Sequence, residues 1–85
     1  MDIIYSPTFI RRYKKLPAKI KSLAEEKEAL CRDDPRSPAL HTHKLHGEMK
    51  DFWAFSVNTS FRIVFEFAQN GGVIFHSIGD HDEVY

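Results

Sequence analysis

Residues 52–78 read FWAFSVNTSFRIVFEFAQNGGVIFHSI, and their periodicity decides the fold. Trp53, Phe55 and Val57 fall on one side of an alternating segment from Phe52 to Val57. Phe61, Ile63, Phe65 and Phe67 alternate against Arg62, Val64, Glu66 and Ala68. A period of two in aromatic and β-branched residues is the mark of a half-buried strand. Asn58-Thr59-Ser60 is a short turn between the two segments. Gln69-Asn70-Gly71-Gly72 is a hairpin turn, because Asn and Gly tolerate positive φ. Val73 to Ile78 is the next strand, and Gly79 is expected to break it. These three strands make an antiparallel meander.

Upstream the period changes. Asp2-Ile3-Ile4-Tyr5 reads as a short first strand. Ser6-Pro7 is a helix start, since Ser caps and Pro suits the first helical position. Phe9, Tyr13 and Leu16 then form a helical stripe, with Ile10 beside it. Pro17 lacks the N–H that a helix interior needs and so opens a second helix. Its apolar stripe is Ile20, Leu23, Ala24, Leu30 and Cys31, running to about Asp33. Asp34-Pro35-Arg36-Ser37-Pro38 is a loop. The order is β-α-α-β-β-β, an α+β fold. A twisted antiparallel sheet is expected to pack against an N-terminal helical hairpin, in one domain spanning 1–85.

Composition excludes several classes. The chain has 85 residues, 42% hydrophobic and 28% charged, which is globular and not disordered. Its one cysteine forms no internal disulfide framework. No apolar run reaches membrane-spanning length, and the N-terminus lacks the pattern of a signal peptide. A soluble, cytoplasmic domain is the expectation. Twelve basic and twelve acidic residues cancel, which argues against strong non-specific nucleic-acid binding. They are unevenly placed: residues 1–40 carry nine basic and six acidic side chains, and residues 41–85 three and six. Arg11 to Lys21 holds six cations and no acid. That basic helical face suits phosphate or an acidic partner.

Three segments go further: Leu45-His46-Gly47, Phe61-Arg62-Ile63-Val64-Phe65, and Ile78-Gly79-Asp80-His81-Asp82-Glu83-Val84-Tyr85. In this order and spacing the chain resembles the RelE/ParE superfamily of toxins from type II toxin–antitoxin systems, and within it the YafQ-like mRNA interferases. The resemblance covers essentially the whole chain. It implies a ribosome-dependent endoribonuclease that cuts mRNA in the A site, needing no cofactor and no metal. It also implies a cognate antitoxin, the ribosome and mRNA as partners. A second reading on the same fold is a non-enzymatic, ParE-like gyrase inhibitor. A third is an inactive antitoxin-binding module.

Cleavage of RNA without a metal needs a base for the 2′-OH, an acid for the leaving 5′-oxygen, and cations on the phosphorane. His81 stands four residues before a terminal aromatic, as in YafQ-like proteins, and is the leading acid–base candidate. Arg62 sits on the polar side of its strand, where the family places an arginine at the phosphate. An ion pair with Glu66 is the structural alternative. Tyr85 resembles the aromatic that stacks on a base or assists catalysis. His43, with His46 as its alternative, resembles a second active-site histidine. Lys44 and Lys50 are candidate RNA-phosphate contacts.

The chain also departs from the family. Ala54, Ser56 and Ser77 stand where many members carry basic residues, and Ser60 where YafQ-like members carry an acid. His76 is a weaker candidate to supply a missing group. His41, His43 and His46 superficially resemble metal-ligand spacing, and Asp80-His81-Asp82-Glu83 adds ligand types, but alternate strand residues point to opposite faces. Cys31, on the apolar stripe, and Trp53 are read as packing residues.

Overall fold

The computed structural model describes residues 1–85. In chain order the elements are β1 (Ile3–Tyr5), α1 (Pro7–Lys14), α2 (Ala18–Asp33), β2 (His43–Lys44), β3 (Trp53–Ser56), β4 (Phe61–Phe67), β5 (Val73–Asp80) and α3 (His81–Val84). Two short 3₁₀ turns, Pro38–Leu40 and Gly47–Met49, flank β2. The strands form one five-stranded sheet in the order β1-β5-β4-β3-β2. The expected α+β fold and antiparallel meander are present. The sheet is nevertheless mixed, because β1 pairs with β5 in parallel. No helix is long and apolar enough to cross a membrane.

The helices begin where the sequence says they should. Ser6 Oγ accepts the N–H of Phe9 at 3.0 Å, and Pro7 occupies the first turn. The same hydroxyl donates to the carbonyl of His76 at 2.6 Å, tying the start of α1 to β5. Ser6→Ala therefore removes a helix cap and a cross-layer bond together. It is expected to cost about 1–2 kcal/mol, read as a lower urea midpoint. The two helices lie on one face of the sheet. Their buried side chains, Phe9, Ala24 and Cys31, meet Leu40, Phe55, Val57, Ile63, Phe65, Val73, Phe75 and Ile78 in the main core. Cys31 is wholly enclosed there, and burial, with Glu28 adding to it, pushes its thiol up to about 11. It is a packing residue.

Three features of the sheet depart from the expectation. First, β5 does not stop at Ile78 but runs through Gly79 to Asp80. Gly79 lies opposite Arg62, and a Cβ on it would come within 3.0 Å of the Glu83 Cβ. Its role is close approach and not strand breaking. Second, the β4–β5 register jumps from Val64↔Ser77 to Phe65↔Phe75, leaving His76 as an unpaired bulge residue. The bulge changes the phase of β5, so that Val73 and Phe75 and then Ile78 all face the helices. Third, the chain turns back after Asp80 into α3. Asp80 Oδ1 accepts the Glu83 N–H at 2.9 Å, and Glu83 Oε1 accepts the Asp80 N–H at 3.0 Å. This capping box is visible in the sequence as Asp80-x-x-Glu83.

α3 packs on the sheet face that α1 and α2 leave open. Val84 is buried there with Leu45, Ala54 and Val64, and Met49 and Phe52 pack alongside. Arg12 of α1 donates to the carbonyl of Glu83 at 3.1 Å, which pins the helix end from the other side. The result places Tyr85 on the second face, within reach of His43 on the edge strand β2.

Candidate active site

Arg62 lies on that face, on β4 beside the β3–β4 turn. Its lateral neighbours are Ser56 on β3 and Gly79 on β5, both small, so the guanidinium has room to lie along the sheet. Arg62 Nη1 donates to the carbonyls of Asn58 at 2.6 Å and Phe61 at 3.1 Å. Asn58 is itself fixed, because its Oδ1 accepts the N–H groups of Ser60 and Phe61. No carboxylate pairs with Arg62. Glu66 is engaged instead with His76, whose Nε2 lies 3.1 Å away without the alignment of a hydrogen bond. The other guanidinium nitrogens thus remain available to an anion.

His43 stands on β2 opposite Ala54, on the same face as Arg62. Its Nδ1 lies 3.1 Å from the carbonyl oxygen of His41. A carbonyl only accepts, so this bond places a proton on Nδ1. In the neutral ring Nε2 then carries the lone pair. His41 presents that carbonyl from a left-handed backbone, φ 53°, at the end of the 3₁₀ turn. Tyr85 Oη comes within 3.4 Å of His43 Nε2. Burial raises the Tyr85 phenol above its ordinary value, and nearby Arg62 opposes this only in part. The phenol is therefore protonated at neutral pH and can donate to Nε2. The ring of His81 meets that of Tyr85 edge-on at 4.5 Å, with its own side chain largely exposed.

His43 and Arg62 open onto a cleft of about 520 Å³ around the β3–β4 turn. Lys27, His41, Ser56, Val57, Asn58 and Thr59 complete its walls, and none of these is acidic.

Of the residues singled out in the sequence, the structure brings His43, Arg62 and Tyr85 together, with His81 beside them. His46 lies on the far side of Tyr85, in a separate hollow with Leu45, Glu48 and Met49. Lys44 alternates with His43 and points to the helix face of the sheet, its ammonium 6.0 Å from the Trp53 ring. Lys50 is exposed beyond the second 3₁₀ turn and lines neither hollow. His76 packs edge-on against Phe52 at 4.8 Å, away from the cleft. Trp53 is half-buried, stacked edgewise on Phe67 and covered by the Arg36 guanidinium. No three His, Cys, Asp or Glu side chains converge to hold a metal ion.

Ala54 is fully buried beneath Val84, so a basic residue there would have to displace α3. Ser56, by contrast, lines the cleft. Lys27 and His41 were not marked as site residues by the sequence. A lysine on a mixed-charge helix looks like any other solvated lysine, and nothing local shows which one faces a cleft.

No family model and no curated protein matches the sequence. Solved structures do match. YafQ from E. coli superposes with a TM-score of 0.82 at 17% identity, covering 99% of this chain and 97% of that one. The YoeB/ParE toxin from Agrobacterium tumefaciens gives 0.82 at 13% identity, covering 95% and 99%. The RelBE2 toxin–antitoxin complex from Mycobacterium tuberculosis gives 0.78 at 15%, covering 93% and 95%. The chain has the fold of the RelE/ParE-like toxins.

Proposed function

We propose that this chain is the toxin of a toxin–antitoxin pair and a ribosome-dependent mRNA endoribonuclease. The observation that carries the reading is the convergence of His43, Arg62 and Tyr85 at the mouth of a cleft without acidic walls. Arg62 holds the scissile phosphate and offsets the negative charge that grows in the phosphorane. His43 Nε2 takes the 2′-OH proton, its lone pair directed by the Nδ1–H bond to the His41 carbonyl. The attacking 2′-oxygen bonds to phosphorus, the P–O5′ bond breaks, and His81 gives a proton to the leaving oxygen. The products are a 2′,3′-cyclic phosphate and a 5′-hydroxyl. Tyr85, its phenol displaced from Nε2 as the substrate 2′-OH takes that place, stacks on a base or holds the 2′-OH region. With so small a site, the ribosome supplies much of the positioning of the strand.

The partner in the cell is a small antitoxin whose acidic, extended or helical segment wraps the domain. A toxin–antitoxin complex, DinJ–YafQ from E. coli, is among the solved structures of the same fold, similar to this chain at 18% identity. The basic face of α1 and the exposed edge of β1 offer it a surface.

Primer extension on a reporter mRNA in a bacterial translation extract tests the reading. Wild-type protein is expected to produce cuts that vanish when ribosomes are removed. Arg62→Ala is expected to cut about 10²–10³-fold more slowly, the usual effect of removing one transition-state donor. Intact mRNA at saturating folded protein would overturn the reading. In that case gyrase-linked DNA breaks on expression would support the inhibitor reading, which the neutral Ser56 and Ser77 favour.

A further inference from the structure

The cleft is larger than one scissile phosphate requires, and several of its side chains take no part in the chemistry above. Lys27, His41 and Thr59 line it beyond Arg62. Lys27 stands on α2 between the buried Ala24 and Cys31, three residues after one and four before the other. Helical spacing therefore turns it toward the sheet. It is half-buried, so its stem is packed while its ammonium looks into the cleft. It has no carboxylate partner, since the ion pairs of the domain join Arg32 to Glu28, His76 to Glu66 and His81 to Asp82. Across from it, exposed His41 lines the same cleft. A continuous groove thus runs from Arg62 to Lys27 with cations and hydrogen-bond donors along it and no acid.

We infer that Lys27 and His41 form a second phosphate subsite. It holds the RNA phosphate next to the scissile one, so that the strand wraps around the β3–β4 turn. The inference rests on the RNA-cleaving reading and adds to it the path of the substrate. The ligand is single-stranded RNA with at least two consecutive phosphodiesters. An acidic protein segment is the competing occupant, disfavoured because the groove is continuous with Arg62 and His43.

The test uses two 2′-O-methylated, uncleavable oligonucleotides with free hydroxyl ends: a dinucleotide with one phosphate and a trinucleotide with two. Each is titrated into ¹⁵N-labelled full-length protein by NMR. Both are expected to shift His43, Arg62 and Tyr85. Only the trinucleotide is expected to shift Lys27 and His41. Its log Kd against log salt should be steeper by about 0.7, the increment per phosphate on a single strand. Lys27→Ala, a favourable exchange within a helix, should erase that increment and leave dinucleotide affinity unchanged. His41→Asn keeps a residue that tolerates the left-handed backbone and should weaken the trinucleotide more than the dinucleotide.

Equal affinity and slope for the two oligonucleotides, with shifts at Arg62 and His43, would overturn the subsite and leave the active site standing. So would equal weakening of both by Lys27→Ala. Shifts at Lys27 and His41 with a glutamate-rich peptide, but not with the trinucleotide, would reassign the groove to a protein partner. Absence of any shift at Arg62 and His43 at millimolar oligonucleotide would overturn both readings together.

Discussion

His43→Ala is expected to slow RNA cleavage by about 10²–10⁴-fold, the range set by loss of a positioned acid–base group. Stability should move by no more than about 0.5 kcal/mol, because the side chain is exposed on a two-residue edge strand. The backbone pairing of His43 with Ala54 does not depend on the imidazole. His43→Asn sharpens the result. Its amide nitrogen stands where Nδ1 does and can still donate to the His41 carbonyl, yet it cannot take a proton at neutral pH, so it should be as slow as alanine. Cleavage within a factor of about three of wild type would remove His43 from the chemistry and pass the base to His81 or His46. The measurement is the single-turnover cleavage rate in the translation extract, paired with a urea midpoint for each variant.

Phe75→Ala is expected to cost about 3–5 kcal/mol, the usual effect of truncating a buried aromatic. Phe75 is the hub of the main core. It is fully buried, and its ring centroid lies 5.4 Å from Phe9, 5.8 Å from Tyr5, 5.8 Å from Phe55 and 6.5 Å from Phe65. Those four partners come from β1, α1, β3 and β4, so one ring joins both layers of the fold. A chain of 85 residues has a total stability of about 4–13 kcal/mol at 0.05–0.15 kcal/mol per residue. The substitution removes a large part of that. The urea midpoint should fall by roughly 2 M for a domain of this size, and at the lower end of the range the variant does not fold. A loss under about 1 kcal/mol would show that the hairpins hold the sheet without the aromatic cluster.

The meander was legible because strong local signals agreed: alternation in β3 and β4, and Asn70-Gly71 at the hairpin with Gly71 at φ 90°. The helix starts were legible for the same reason, at Ser6-Pro7 and at Pro17. The direction of β1 was not, since three residues carry no information about the sense of their pairing. Nor was the bulge at His76, which answers to packing on both neighbours. α3 did have a signal in Asp80-x-x-Glu83, but Gly79 read as a stop and masked it. The site followed the same division. Arg62, His43, His81 and Tyr85 could be named as candidate residues. Their meeting depends on α3 folding back across the sheet, which no local pattern encodes. Lys27 and His41 come from distant elements and meet only in three dimensions.

The unequal anchoring of the two faces has a kinetic consequence. The helical hairpin contributes three side chains to a main core of eleven buried residues, whereas α3 contributes only Val84 to a cluster of four, with Arg12 and one capping box added. A four-residue helix has no stability of its own. The segment carrying His81 and Tyr85 can therefore detach while the rest of the domain stays folded. On the RNA-cleaving reading, only the docked fraction is competent, and the apparent affinity for substrate is scaled down by that fraction. Val84, which touches no substrate, thereby becomes a control on potency. An antitoxin that caught the detached segment would silence the protein without ever covering Arg62.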